Sequence, residues 1–388
     1  MSEPKAVITQ KGVDRIRAGH LWIYRSDVMK CDGDAGSIVS VQDQRGKKLG
    51  KAFYSSNSQI TLRFLSTRDE AVDEKFFRRR LEMAWNLRKK VVSNTEVYRL
   101  VHGEGDGLPA VIIDRYQDVF VLQTLSQGSD QIKPVLVRIL QDLFSPAAIL
   151  ERNDSRVREL EGLPQSVSVL AGSDPGEMVC LENGLQFLFS PMHGQKTGGF
   201  LDQRENRVCA RQLAFGKALD CFCYAGSFAV HIAEVCEEVE AIDMSAEAIE
   251  LARRNAGLNG LANLHFEAEN VFDRLRLYDN LKKKFDTIIL DPPAFAKNRS
   301  HISSALRGYK EINLRALRLL NPGGLLITAS CSQLIEETML LNLLVEAASD
   351  TGRTLQLIEK RTQARDHPIL LSMPETYYLK CFFVRVLA

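Results

Sequence analysis

The stretch "KALDCFCYAGSFAVHIAEVCEEVEAIDMSAEAIELARRNAGLNG", residues 217–260, twice alternates a short apolar run with a longer amphipathic segment. The runs "KALDCFCY" and "EVEAIDM" have the length of buried strands, and the segments after them have the length and apolar spacing of helices. Strands that alternate with helices form a parallel sheet covered on both faces. This stretch therefore predicts an α/β fold.

The same alternation continues toward the C-terminus. The strand-like runs "NLHFEAEN", "FDTIILDPP" and "GGLLITASCS" are interleaved with the helix-like segments "GYKEINLRALRLL" and "IEETMLLNLLVEAAS". The last two extended segments, "LQLIEKRTQ" and "YYLKCFFVRVLA", are joined by "ARDHPILLSMPET". We expect them to add an antiparallel hairpin to an otherwise mostly parallel sheet.

Upstream of this region the chain changes character. A length of 388 residues predicts two or three domains. Residues 1–70 read as short alternating strands with glycine turns, which is typical of a small β-barrel. Residues 71–190 begin with a helical period and continue as strands and helices, so we expect a middle α+β domain. Residues 191–388 form the α/β domain.

Composition limits the kind of protein. Hydrophobic residues make up 45% and charged residues 26%, which is ordinary for a globular chain. No apolar run approaches the ~18 residues of a membrane span, and the N-terminus has no apolar signal core, so we expect a cytoplasmic protein without a membrane partner. Eight cysteines without a C-x-x-C pair favour reduced thiols, and we expect no metal site.

Charge is distributed unevenly. The net charge is +1, but residues 1–68 carry twelve Lys or Arg and six Asp or Glu, so this segment is +6 and the remainder is −5. A basic N-terminal segment predicts a surface for a polyanion such as RNA, although a simple solvated surface is the alternative. The candidates for phosphate contacts are Arg15, Arg17, Lys47 and Lys48.

Polar residues mark the ends of the first strands of the α/β region, where ligands bind in such sheets. Asp220 and Gly226 flank the first turn, Asp243 ends the second strand, and Asn270 follows the third. An acid after the second strand can accept hydrogen bonds from both hydroxyls of a ribose, although Asp243 alone could equally be a helix N-terminal acid. Because G-x-G-x-x-G is absent, a nicotinamide dehydrogenase is the least favoured reading.

Two further strand ends carry residues suited to chemistry on a base. "DPPAF", residues 291–295, stiffens the chain and removes two N–H donors, so Asp291, Pro292 and Phe295 could form a slot for a flat base. "TASCSQL" places Cys331 between two serines where a strand opens into a loop. A plain turn and a buried structural cysteine are the alternatives.

These motifs resemble known families. "DCFCYAGSF", "AIDMSAEAIELARRNAGLNG", "DPPAF" and "SCS" resemble class I methyltransferases that use S-adenosylmethionine. With "GEGDGLP", "HGQKTGGFLDQRENR", "RGYKEINLRAL" and "ARDHPI…PETYYLK", nearly the whole chain resembles the PUA-domain large-subunit rRNA cytosine-C5 methyltransferases. The resemblance implies a PUA-like RNA-binding head, a Rossmann-like methyltransferase domain, S-adenosylmethionine as cofactor and 23S rRNA as substrate. It leaves a homodimer open.

The resemblance also implies roles for single residues. Cys331 matches the proposed nucleophile, and Asp291 lies in the turn that faces the substrate. The residues that match the cofactor site are Phe200, Asp202, Gln203, Arg204, Asp220, Phe222, Gly226, Ser227, Asp243, Asn270 and Asp291. Basic residues after the Pro-Pro turn are expected to guide the target strand, with solvated loop charges as the alternative; they are Lys297, Arg299, Arg307 and Lys310.

One departure and two rival functions remain at this point. Many RNA cytosine-C5 enzymes place a second cysteine after the Pro-Pro pair, but here the position is Ala294, and the base that takes the C5 proton stays unnamed. One rival is an amino-group methyltransferase that holds an exocyclic nitrogen of adenine or guanine in the Asp-Pro-Pro-aromatic turn. The other is an RNA-binding or assembly factor that keeps the cofactor fold without turnover.

Overall fold

The computed structural model describes residues 3–296 and 298–387, and the chain divides into two compact units. Unit 1 contains the chain up to Leu181, Phe189–Leu201 and Arg365–Thr376. Unit 2 contains Glu182–Leu188, Asp202–Ala364 and the chain from Tyr377 onward. The division into three domains made from the sequence stays a prediction. No helix of the described ranges is both long and apolar enough to cross a bilayer.

The head of unit 1 is a six-stranded sheet with one helix. Its elements are β1 Lys5–Ile8, α1 Gln10–Arg17, β2 Trp22–Tyr24, β3 Val28–Cys31, β4 Ile38–Gln42, β5 Lys48–Tyr54 and β6 Ile60–Ser66. The strand order is β2-β6-β5-β4-β1-β3, and β1 and β4 are parallel. Gly50 on β5 has a φ of 135°, and a Cβ there would lie 2.1 Å from the Ser66 carbonyl oxygen, so glycine permits this close strand pairing.

The middle of unit 1 is a five-stranded sheet with helices. Its elements are α2 Glu74–Val91, β7 Val97–His102, β8 Val111–Tyr116, β9 Val119–Thr124, α3 Gln127–Gln131, α4 Lys133–Phe144, β10 Ala148–Asn153, α5 Val157–Leu160 and β11 Ser166–Gly172. The strand order is β11-β10-β9-β8-β7. Asp73 caps α2 by accepting a hydrogen bond from the Phe76 N–H at 3.0 Å, which explains where this helix begins.

The head and the middle share a hydrophobic core. Phe53 on β5 packs against Phe77 on α2, with ring centroids 6.4 Å apart, and both side chains are buried. The Arg63 guanidinium donates to the Glu161 carboxylate at 2.8 Å, and both side chains are almost fully buried. The head is therefore packed as part of unit 1.

Unit 2 is an α/β sandwich, and a short two-stranded sheet of β12 Met178–Glu182 and β13 Leu185–Phe189 precedes it in the chain. Its elements are α6 Arg204–Leu213, β14 Lys217–Cys221, α7 Ser227–Ile232, β15 Glu238–Asp243, α8 Ala246–Leu258, β16 Leu264–Ala268, α9 Val271–Asn280, β17 Phe285–Leu290, α10 Ile302–Leu319, β18 Leu320–Ser330, α11 Glu337–Thr351, β19 Leu355–Arg361 and β20 Lys380–Val386.

The sheet of unit 2 has the order β16-β15-β14-β17-β18-β20-β19. Strands β14 to β18 run parallel, whereas β20 is antiparallel to both β18 and β19, as the predicted terminal hairpin requires. Neighbouring residues such as Ile289 and Leu290 belong to hydrophobic cores on opposite faces. The strand order reverses between β14 and β17, and the carboxyl ends of β14 to β18 share one edge, so a ligand is expected there.

Arg365–Thr376, the middle of the loop between β19 and β20, belongs to unit 1. Its Asp366 accepts a hydrogen bond from the Arg99 backbone N–H at 2.9 Å and, through its carbonyl, from Arg88 at 2.7 Å. Arg88 is buried and also pairs with the Asp106 carboxylate of the "GEGDGLP" turn. This buried charge network explains why the "ARDHPI" segment carries polar residues: they satisfy buried cations of unit 1.

Candidate active site

The loop after β14 holds three residues in the left-handed region of backbone space. Phe222 has a φ of 65°, Tyr224 of 48° and Gly226 of 73°. Residues other than glycine seldom adopt this conformation, and they do so mainly where the surroundings fix a functional loop. The loop delivers the chain to Ser227, the first residue of α7.

Asp220 is fully buried at the end of β14. Its Oδ2 accepts a hydrogen bond from the Ala229 N–H at 3.0 Å, while Oδ1 is buried without a partner in the described part of the chain. Burial raises the pKa of this carboxyl well above its ordinary value, and the nearby Asp291 and Asp243 add to the effect. Because buried polar atoms are nearly always paired, the orphaned oxygen marks a place that fits a ligand donor.

Asp243 ends β15 and is half-buried. Its Oδ2 accepts a hydrogen bond from the Tyr224 N–H at 3.0 Å, and its Oδ1 accepts one from the Ser245 N–H at 2.9 Å. A carboxylate has about four acceptor positions, so positions remain for the hydroxyls of a ribose. Asp243 therefore fixes the strained loop and still has acceptor positions for the ribose hydroxyls that the sequence predicts it to bind.

Asn270 caps helix α9. Its Oδ1 accepts hydrogen bonds from the Phe272 N–H at 2.9 Å and the Asp273 N–H at 3.4 Å, and the residue is exposed. The side-chain oxygen is thus used by the helix terminus, and the amide N–H groups are the atoms that could meet an adenine edge. Its role in cofactor binding stays a prediction.

The segment before α6 is joined to the turn after β17. Gln203 donates through Nε2 to the Asp291 carboxylate at 2.9 Å, and Asp202 accepts a hydrogen bond from the Tyr378 hydroxyl at 2.9 Å. Arg204 follows and is buried. Two motifs predicted separately, one for the cofactor and one for the substrate, are therefore connected. Phe200 belongs to unit 1, where Lys196 Nζ lies 4.2 Å from its ring centroid.

Cys331 and Asp291 are the first residues beyond two neighbouring parallel strands. The register of β17 and β18 places Leu290 beside Thr328, and the strands end at Leu290 and Ser330. Cys331 is half-buried, and its thiol lies 3.9 Å from the carbonyl oxygen of Pro292. The predicted nucleophile and the predicted substrate turn thus share one edge of the sheet.

The hydroxyl of Tyr309 on α10 contacts both serines that flank Cys331. This hydroxyl lies 3.0 Å from Ser330 Oγ and 3.2 Å from Ser332 Oγ, and all three residues are buried. Ser332 Oγ also accepts a hydrogen bond from the Ala296 N–H at 3.4 Å, in the loop after the Pro-Pro turn. These contacts fix the chain on both sides of Cys331. The sequence analysis quoted "RGYKEINLRAL" without giving Tyr309 a role.

Phe295 is part of an aromatic cluster. Its ring centroid lies 4.7 Å from that of Tyr309, 6.1 Å from that of Phe272 and 6.3 Å from that of Phe222. The side chain is half-buried, and Pro292 is buried. The cluster connects the loop after β14, α9 and the Pro-Pro turn, so Phe295 has a packing role beside the role in a slot for a flat base that the sequence predicts.

The other seven thiols are unsuited to act as nucleophiles at neutral pH. Burial raises the pKa of each of them; they are Cys31, Cys180, Cys209, Cys221, Cys223, Cys236 and Cys381. A thiol whose pKa is raised is a poor nucleophile at neutral pH. Cys221 at the end of β14 and Cys223 in the loop after it are both buried.

Comparison with known proteins identifies the family. A PUA-like domain matches residues 7–67, and a methyltransferase domain matches residues 216–370. Ribosomal RNA large subunit methyltransferase I of Klebsiella pneumoniae strain 342 is 40% identical over 394 residues, which cover 99% of this chain and 98% of that protein. The chain belongs to the ribosomal RNA large subunit methyltransferase I family. The Yersinia pestis (bv. Antiqua, strain Angola) member is 41% identical over 95% of this chain and 96% of its own length.

Solved structures confirm the methyltransferase fold of this family member. A candidate methyltransferase complexed with SAH has a TM-score of 0.86 at 21% identity, and covers 98% of this chain and 100% of its own. A candidate SAM-dependent methyltransferase from Streptococcus mutans has a TM-score of 0.84 at 21% identity, with the same coverage. The predicted family, the PUA-like head and the Rossmann-like α/β domain are therefore confirmed.

The basic residues predicted to bind RNA differ in their settings in this family member. Arg15 lies over the Tyr24 ring at 4.7 Å and 3.6 Å from the buried Asp27, and Lys48 pairs with Asp69 at 2.8 Å. Arg17 is exposed and lies 3.6 Å from Asp14, and Lys47 is exposed. Arg17 and Lys47 are thus the better placed for phosphates, and all four roles stay predictions.

The cations after the Pro-Pro turn also differ. Arg299, just before α10, and Arg307, in its second turn, are both exposed. Lys310 pairs with Glu346 at 3.2 Å and Asp350 at 2.9 Å on α11, so its geometry does not favour a contact with the target strand. Lys297 lies outside the described residues. A homodimer and the cytoplasmic location likewise stay predictions.

Proposed function

We propose that this chain transfers a methyl group from S-adenosylmethionine to C5 of a cytosine in 23S rRNA, with Cys331 as the nucleophile. The observation that carries the proposal is the half-buried Cys331 thiol at the open end of β18, held beside the Asp291 turn by Tyr309 and two serines. Family membership supports the ribosomal RNA substrate, and the methyltransferase domain supports the reaction class.

The nucleophile is needed because cytosine C5 does not attack a methyl donor unaided. The Cys331 thiolate adds to C6, and the electron pair of the C5–C6 double bond becomes available at C5, which takes the methyl group. C5 then gives up its proton to a base or to water, the Sγ–C6 bond breaks and the thiolate is restored. Covalent addition divides one difficult step into easier ones.

Asp291 is proposed to hold the cytosine through N3 and the exocyclic amino group. A hydrogen bond there would favour a proton on N3 as the thiolate adds to C6. The hydrogen bond from Gln203 at 2.9 Å fixes the orientation of the Asp291 carboxylate at the end of β17. Enzymes of this kind take a base that is flipped out or single-stranded.

The cofactor site has residues that fit S-adenosylmethionine. When bound, the cofactor supplies an electrophilic methyl group on a sulfonium. Asp243 would bind the ribose, the N–H groups of the Asn270 amide would meet the adenine, and the orphaned Asp220 Oδ1 would accept a donor of the methionine end. The left-handed backbone at Phe222 and Gly226 shapes the loop that would approach the cofactor.

Methyl transfer and covalent trapping test this proposal. Cys331→Ala should abolish 5-methylcytosine formation in 23S rRNA while S-adenosylmethionine binding is unchanged. RNA with 5-fluorocytosine should form a covalent adduct with the wild type alone, because fluorine does not leave C5 as a proton does. Cys31→Ala, which removes the other half-buried thiol, should behave as wild type. Activity in Cys331→Ala, or an adduct on another residue, would contradict the mechanism.

The amino-group rival has a separate readout. An enzyme that used the Asp-Pro-Pro-aromatic turn to hold an exocyclic nitrogen would methylate RNA that lacks cytosine. The proposal expects no product on such RNA. The non-catalytic rival expects no product on any RNA and no effect of Asp243→Ala on its RNA binding.

A further inference from the structure

Lys380 is an unusual residue for the first position of a central strand. It lies opposite Ser330 in the antiparallel pairing of β18 and β20, and only 2% of its surface is exposed. Its Nζ donates to the carbonyl oxygen of Ser332 at 2.7 Å and to that of Tyr378 at 3.0 Å. Among the described carboxylates none lies within ion-pair distance of this ammonium. A buried cation without a counter-charge is costly, so its presence calls for a reason.

Several other groups lie around this ammonium or at the strand ends beside it. Glu337 at the start of α11 interacts with it at longer range, but its carboxylate already binds Lys360 and the Tyr377 hydroxyl. The Tyr377 ring centroid lies 5.9 Å away, and Tyr309 on α10 and Asp291 after β17 stand around the same strand ends. The Cys331 thiol also interacts electrostatically with this ammonium, and Cys331 immediately precedes the residue whose carbonyl Lys380 binds.

We infer that Lys380 is a positioning residue for Cys331. The buried Lys380 ammonium fixes the chain after the thiol and supplies the counter-charge beside which the thiolate forms. The inference rests on the proposed function of Cys331 as the nucleophile. A neighbouring cation increases the fraction of thiol that is ionised at neutral pH. The hydrogen bond to the Ser332 carbonyl complements the Tyr309 hydroxyl contacts on the side-chain oxygens of the same loop.

The ionisation of Lys380 is consistent with this role. Burial lowers the pKa of Lys380 to about 8, and the Cys331 thiol and Glu337 oppose this effect. The Lys380 side chain is therefore still mostly protonated at neutral pH, and it loses its positive charge when the pH rises above about 8. Since the two groups interact, the thiol and the ammonium should titrate as a coupled pair.

The experiment measures the alkylation rate of Cys331 by iodoacetamide, peptide by peptide with mass spectrometry, from pH 6 to 10 in the protein without RNA or cofactor. Lys380→Met should lower the Cys331 rate at pH 7 about tenfold and move the midpoint of the profile upward, while Lys380→Arg should keep most of the wild-type rate. Lys283→Met, on the far side of the same unit and paired with Glu240, is the matched control and should behave as wild type.

Each outcome decides the inference. If the alkylation rate of Cys331 in Lys380→Met follows the wild-type pH profile, the inference is wrong. It is also wrong if Cys331 reacts as slowly in Lys380→Arg as in Lys380→Met while both variants still bind S-adenosylmethionine. If Lys380→Met does not fold, the wild-type profile decides: a midpoint at or above the ~8.5 of a free thiol contradicts the inference. The proposed function fails by a different result, methylation by Cys331→Ala.

Discussion

At the residue scale, Asp243 combines a structural and a binding role. Asp243→Ala removes the acceptor proposed for the ribose hydroxyls and also removes the hydrogen bond that Asp243 accepts from the Tyr224 N–H. We expect the affinity for S-adenosylmethionine to weaken by about 1.5–3 kcal/mol, as for loss of a charged hydrogen-bond partner. Isothermal calorimetry measures this, with Glu247→Ala, an exposed acid on α8, as the control. Unchanged affinity in Asp243→Ala would remove the residue from the site.

His231 is a second residue whose setting predicts a measurable effect. It is fully buried on α7, with Nδ1 2.6 Å from the Ser227 carbonyl oxygen, and burial lowers its pKa from 6.5 to about 4. Between these values the unfolded chain binds more protons than the folded one. Stability is therefore fully present above pH 6.5 and is lost as the pH falls toward 4, by about 3 kcal/mol in total.

Urea unfolding between pH 4 and 7 measures the contribution of His231. The free energy of unfolding of wild type should fall more steeply with decreasing pH than that of His231→Gln. His265→Gln removes an exposed histidine and should keep the wild-type slope. Equal slopes for wild type and His231→Gln would mean that His231 is not held neutral in the folded protein.

At the element scale, helix α10 holds the segment around Cys331, residues 330–332, through the hydroxyl of Tyr309. Tyr309→Phe keeps the ring against Phe295 but leaves Ser330 and Ser332 without their shared partner. We expect a loss of about 1–3 kcal/mol in stability, and a fall in methylation of about tenfold or more because the nucleophile is no longer held in place. Thermal unfolding and a methyl-transfer assay measure these.

Tyr278→Phe is the matched change on α9. Its hydroxyl donates to Glu240 on β15 at 2.6 Å, and its ring packs against Phe285, the first residue of β17. Cys331, in contrast, follows the last residue of β18. Tyr278→Phe should lower the free energy of unfolding but leave the methylation rate of the folded protein unchanged. If Tyr309→Phe methylates as fast as Tyr278→Phe, the hydroxyl has no part in positioning Cys331.

At the scale of the whole molecule, RNA binding should depend on exposed cations of the head. Deleting residues 1–70 would be a poor test, because Phe53 and Leu65 belong to the core shared with α2 and the deletion would expose that core. Arg17→Glu with Lys47→Glu keeps the packing. We expect weaker rRNA binding and a smaller dependence of the affinity on salt, by about 0.7–0.9 in slope for each lost contact.

Filter binding at several salt concentrations measures this slope. The control is Lys282→Glu with Lys284→Glu, a change of the same charge in unit 2. If both double variants reduce the slope equally, the basic head is not the local RNA site. If neither reduces it, Arg17 and Lys47 do not contact phosphates.

Local sequence was enough to predict much of this architecture. The 217–260 stretch contains two complete strand–helix pairs whose apolar spacing leaves little choice of secondary structure, and short connections force them into a parallel sheet. Because strand ends in such a sheet meet at one edge, Asp220, Asp243, Asp291 and Cys331 could be placed together from their positions in the chain alone. The terminal hairpin and the strand-rich head followed in the same way from alternation and turns, whereas the PUA-like identity of the head came from the family resemblance.

Tertiary structure decided what no local pattern contains. Tyr309 and Lys380 lie 22 residues before and 49 residues after Cys331, and only sheet and helix packing brings their polar atoms to Ser330 and Ser332. The "ARDHPI" segment joins two strands of unit 2 in sequence, yet its Asp366 satisfies the buried Arg88 of unit 1. Periodicity reports which face of an element is buried, whereas the partner of a buried polar group depends on contacts between segments distant in the chain.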